Sequence, residues 1–74
     1  MTIPDLKEKL AELAVDPVYY SLDGKVMKDC MILGFEESRW VVFYCDENGR
    51  PENRRLFHSQ EDACRYLYNY FILR

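Results

Sequence analysis

Trp40-Val41-Val42-Phe43-Tyr44-Cys45 is the stretch whose reading decides the fold. It is almost wholly β-branched and aromatic, the composition of a strand in a sheet. Working outward, Lys28 to Gly34 reads as a strand before it, joined by the polar connection Glu36-Glu37-Ser38-Arg39. After it, residues 46–53 hold Asn48-Gly49 and Pro51 and read as a loop, and Arg54 to Phe57 reads as a third strand. Short polar connections make neighbouring strands antiparallel, so a three-stranded antiparallel meander is expected. The central strand carries apolar residues on both faces: Trp40, Val42 and Tyr44 point one way, and Val41, Phe43 and Cys45 the other. A sheet covered on one side alone should alternate apolar and polar residues. Either a loop or the Tyr19-Tyr20 segment covers the second face, or that face is an exposed patch for a partner.

A helix is expected on each side of the meander. Ile3, Leu6, Leu10, Leu13 and Ala14 recur at spacings of three and four. Thr2 can cap this helix, Pro4 suits its first turn, and Asp16-Pro17 ends it, which places it at about residues 3–14. Val18-Tyr19-Tyr20 reads as an extended connection running into the turn Asp23-Gly24. Ser59 caps a second helix with Glu61 and Asp62 in its first turn. Its apolar face is Ala63, Leu67, Tyr70 and Phe71, with Cys64 and Leu73 at the edges and Arg65, Asn69 and Arg74 polar. The expected fold class is therefore α+β, a two-layer αβββα arrangement with an N-terminal and a C-terminal helix on one face of the sheet. Residues 1–74 make a single domain.

Composition limits function. With 74 residues there is no room for a two-domain enzyme or a dinucleotide fold. Ten Lys and Arg against thirteen Asp and Glu give a net charge of −3, which disfavours nucleic acid as a partner. Residues 1–48 carry a balance of −5 and residues 49–74 one of +2, an asymmetry that can steer a basic partner. Cys30, Cys45 and Cys64 are odd in number and lack close pairs, so they read as reduced, small apolar residues, with no metal or cofactor expected. The N-terminus has no signal-peptide pattern and no run is long enough to span a membrane, so a cytoplasmic location is expected. A Cys64–His58 nucleophile is disfavoured, because Cys64 is expected to face the core. No other catalytic constellation is present, and no enzyme is expected.

Three runs carry a family resemblance: Tyr20-Ser21-Leu22-Asp23-Gly24, Trp40 through Gly49, and Phe57-His58-Ser59-Gln60-Glu61-Asp62-Ala63-Cys64. In order and spacing they resemble small bacterial immunity proteins of polymorphic, contact-dependent toxin systems. Members tend to be polar where this chain has Val41, which implies that Trp40, Val42 and Tyr44 face the core and Val41, Phe43 and Cys45 face outward. The resemblance implies an antitoxin that binds the C-terminal domain of a cognate toxin, frequently a nuclease with a basic surface. Complementary potential would speed encounter, and a few aromatic anchors would hold the complex. The expected partner-binding residues are Val41 and Phe43, the acidic turns Glu36, Glu37, Asp46 and Glu47, and Tyr19 or Tyr20 nearby. The alternative is a self-associating adaptor that buries the same patch in a homodimer.

Overall fold

A computed structural model describes residues 1–73; Arg74, counted above on the polar side of the second helix, lies outside the described residues. The order of elements is α1 (Ile3–Glu12), a single 3-10 turn (Pro17–Tyr19), β1 (Tyr20–Ser21), β2 (Cys30–Glu36), β3 (Arg39–Cys45), β4 (Pro51–Phe57) and α2 (Gln60–Ile72). The class is α+β, as expected. The sheet differs from a three-stranded meander by one element. Its order is β1-β2-β3-β4; β2, β3 and β4 are antiparallel neighbours, and β1 runs parallel to β2. The Tyr20-Ser21 pairing adds this fourth, mixed edge. Parallel neighbours usually need a crossover of about a dozen residues, but a two-residue strand has so little length to retrace that residues 22–29 suffice.

Both helices are set by their caps. Thr2 and Asp5 form a reciprocal box: the Asp5 N–H donates to Thr2 Oγ1 (3.4 Å) and the Thr2 N–H to Asp5 Oδ2 (3.0 Å). The Ile3 N–H donates to Gln60 Oε1 at 2.8 Å, so the start of α2 also caps α1. Helix α1 ends two residues before the expected Ala14. Val15 N–H bonds back to Leu10 O (3.0 Å) and Ala14 N–H to Ala11 O (2.9 Å), with Ala14 at φ 60°. This is a Schellman stop with alanine in the place that favours glycine.

The core lies between the sheet and the helices. Leu6 and Leu10 of α1 and Ala63, Cys64 and Leu67 of α2 are buried with Tyr20, Met31, Leu33 and Val42 of the sheet. Trp40 and Tyr44 are half-buried on the same side. Helix α1 lies against α2, and α2 lies across the strands.

The hairpin between β2 and β3 turns on Glu37 and Ser38, both at positive φ (51° and 63°). This is the two-residue turn whose twist matches the strands, made without the usual Asn-Gly. Strand β4 begins at Pro51, earlier than expected, because proline is tolerated at the start of an edge strand. Val42 faces Arg55 and Tyr44 faces Glu52, so Phe43 stands opposite a bulge with Asn53 at φ 53°. The bulge, Pro51 and the two arginines blunt this free edge against pairing with another chain.

Candidate functional site

The outward face of β3 is the place the sequence nominates for binding, and the structure closes most of it. Val41 is 1% exposed. Gly24 stands over Gly34 on that side: a methyl group on Gly34 would come within 3.1 Å of Gly24 Cα and 3.8 Å of Val41 Cγ1. The Gly24 N–H donates to Leu33 O at 3.0 Å, which holds the crossover loop down. Cys30, Ile32 and Cys45 form a second buried cluster on this face, with Phe43 half-buried against it. The Cys30 thiol donates to Val18 O at 3.1 Å, so the 3-10 turn closes the end of the cluster. Burial, then the neighbouring Cys45 and Asp29, push the Cys30 thiol above its ordinary range.

The nominated residues therefore separate. Val41 is core, not surface. Tyr20 is buried on the helix side, edge-on to Phe71 at 6.2 Å. Glu36 is exposed, but it is ion-paired with Arg54. By register the two reach from β2 and β4 on the face that carries Val41. Asp46 organises its own loop: Oδ1 accepts the N–H groups of Asn48 (2.9 Å) and Arg50 (2.8 Å). A charge reversal at Asp46 would therefore test the loop rather than a partner contact. Glu37 and Glu47 are exposed at opposite ends of β3, one in each flanking turn. Tyr19 is 52% exposed.

Tyr19 belongs to a different surface. Met31, Tyr44 and Glu52 are direct cross-strand partners on β2, β3 and β4, so they share the helix face in one row. Above this row, where the C-terminal half of α2 meets the sheet, lies an open depression of about 310 Å³. Tyr44 and Met31 contribute to its floor; Tyr19 of the 3-10 turn and Tyr70 of α2 line it, with Asp29, Glu52 and Asn53. Among the described residues, none that lines it is basic. Among the described residues neither Asp29 nor Glu52 makes an ion pair. Burial pushes the Tyr44 phenol above its ordinary range, and Asp29, Tyr70, Glu52 and Asp46 push it the same way. Tyr19 also lines a neighbouring hollow with Val15 and Phe71, and Tyr70 another with Tyr66 and Leu73. Each of these hollows thus shares one tyrosine wall with the depression.

Tyr44, Tyr70, Asp29 and Glu52 were not legible as site residues. Tyr44 and Tyr70 read as core, and Glu52 read as loop. Starting β4 at Pro51 would have placed Glu52 across from Tyr44. Cys64 is fully buried, and burial pushes its thiol up, away from the reactive thiolate, while His58 is exposed. Among the described residues, no group of three or more His, Cys, Asp or Glu side chains is placed to hold a metal ion. Among them too, no helix is long and apolar enough to cross a membrane. No protein-family model, curated protein or solved structure matches this chain.

Proposed function

We propose that this chain is an immunity protein that binds a cognate toxin domain, a nuclease with a basic surface, and neutralises it in the cytoplasm by direct contact. The observation that supports this reading is the end of the sheet where Tyr19, Tyr44 and Tyr70 stand beside Asp29 and Glu52. Tyrosine rings bury much area at little rotamer cost, which suits them as interface anchors. The carboxylates, in a chain of net charge −3, complement a basic surface and speed the encounter with it. The family resemblance of the sequence points to the same partner class. The surface differs from the one the strand pattern favours: it sits at an end of the helix-covered face.

The test is co-expression with a candidate toxin domain taken from the neighbouring gene. Protection of the host cell and a stable one-to-one complex are expected. A toxin that stays lethal in the presence of the chain would remove the reading. A chain that binds no toxin and sediments as a dimer at micromolar concentration would support the self-associating adaptor in its place.

A further inference from the structure

We infer that the depression above Met31, Tyr44 and Glu52 takes an arginine side chain, with the guanidinium against the tyrosine rings and between Asp29 and Glu52. The inference rests on the immunity reading only for which molecule carries that arginine. Size is the first argument. About 310 Å³ is at the lower end of pockets that hold small ligands. That suits one side chain rather than a cofactor. Charge is the second. Among the described residues, the lining offers two carboxylates without an ion-pair partner and no cation. A cation is the group whose arrival these carboxylates favour.

Geometry selects arginine over lysine. Glu52 on β4 is the direct partner of Tyr44, and Asp29 lies two residues before Met31, the partner of Tyr44 on β2, so the carboxylates flank β3 diagonally across Tyr44. Two strand spacings separate β2 from β4 by ~10 Å. A planar guanidinium presents five N–H donors around its edge and stacks by its face. It can lie on a ring and still donate toward both sides. An ammonium is compact and reaches one carboxylate at a time. Asn53, held at the bulge with φ 53°, adds a neutral side-chain carbonyl at the rim.

The binding arm of the experiment needs no toxin. N-acetyl-arginine-methylamide is titrated into the isotopically labelled chain, and amide shifts are followed by NMR. The citrulline counterpart has nearly the same shape without the charge, and the lysine counterpart keeps the charge as a point. Expected are saturable shifts centred on Met31, Tyr44, Glu52 and Tyr70, weaker binding of the lysine compound, and none of the citrulline compound. Asp29→Asn and Glu52→Gln should each weaken arginine binding about fivefold. Both preserve the fold: asparagine tolerates the left-handed backbone at residue 29, where φ is 58°, and Glu52 is exposed on the edge strand. Equal shifts from arginine and citrulline, or an arginine affinity unchanged in both variants, would overturn the assignment. No saturable arginine shifts in a chain that does protect against a toxin would sink the arginine site and leave the immunity reading standing. Arginine binding by a chain that protects against no toxin would do the reverse.

Discussion

The two faces of the sheet carry similar apolar side chains and end in opposite states. The outward face holds Val41, Ile32, Cys30 and Cys45, all buried, under a loop that touches down at Gly24. The inward face is covered by two helices, yet it opens at one end into a depression lined by tyrosines. Apolar content therefore does not tell which face meets a partner. What decides is whether a neighbouring segment can come close enough. Gly24 and Gly34 lack side chains and let the backbone settle on the outward face, whereas α2 leaves Tyr44 and Glu52, beside the buried Met31, partly open.

The comparison can be broken from either side, starting with the largest effect. Leu67→Ala removes a fully buried side chain of α2 from the inward core. It should cost ~3 kcal/mol in chemical denaturation. On the outward face, Gly34→Val would drive a branched side chain against Gly24 Cα, which a single methyl already approaches to 3.1 Å. It should cost ~2 kcal/mol. A valine there with unchanged stability would mean that the loop does not seal that face.

Two substitutions work in the other direction. Ser38→Gly and Ala14→Gly each replace a side chain held at positive φ, 63° and 60°. Each should stabilise by ~1 kcal/mol, seen as a higher denaturation midpoint. The smallest effect is that of acid. Hydrogen bonds from Thr2 hold the Asp5 carboxyl below its ordinary range, the backbone N–H first and the hydroxyl second. The Lys25 N–H and then the Ser21 hydroxyl do the same for Asp23. A depressed folded value means that the unfolded chain binds the proton more readily. Their contribution is present above the unfolded carboxylate value, ~3.9, and is lost as pH falls from there through the folded values. Asp23→Asn should flatten this acid limb of the stability curve, and an unaltered limb would contradict the assignment.

Much of the fold was legible, for local reasons. Thr2 and Ser59 announce their helices, and β3 announces itself by composition. The parts that were not legible depend on partners distant in sequence or on residues out of their usual places. The parallel pairing of Tyr20-Ser21 with Met31-Ile32 has no local signal. Alanine at the end of α1 and Glu37-Ser38 in the hairpin stand where glycine or asparagine would have marked a stop. The site was half legible. Tyr19 lies in it, but Val41, Tyr20 and Asp46 have structural roles that the strand pattern does not reveal. Tyr44 and Glu52 become a pair only once the register of β4 is known.

The most direct test of the account is the affinity of the Asp29→Asn/Glu52→Gln double variant for the proposed toxin domain, set beside Phe43→Ala. Site and partner on the inward end predict at least a tenfold loss for the double variant, which is about 1.4 kcal/mol, and little change for Phe43→Ala. A double variant that binds as tightly as the native chain, with the loss at Phe43→Ala, would return the partner to the outward face and contradict the account.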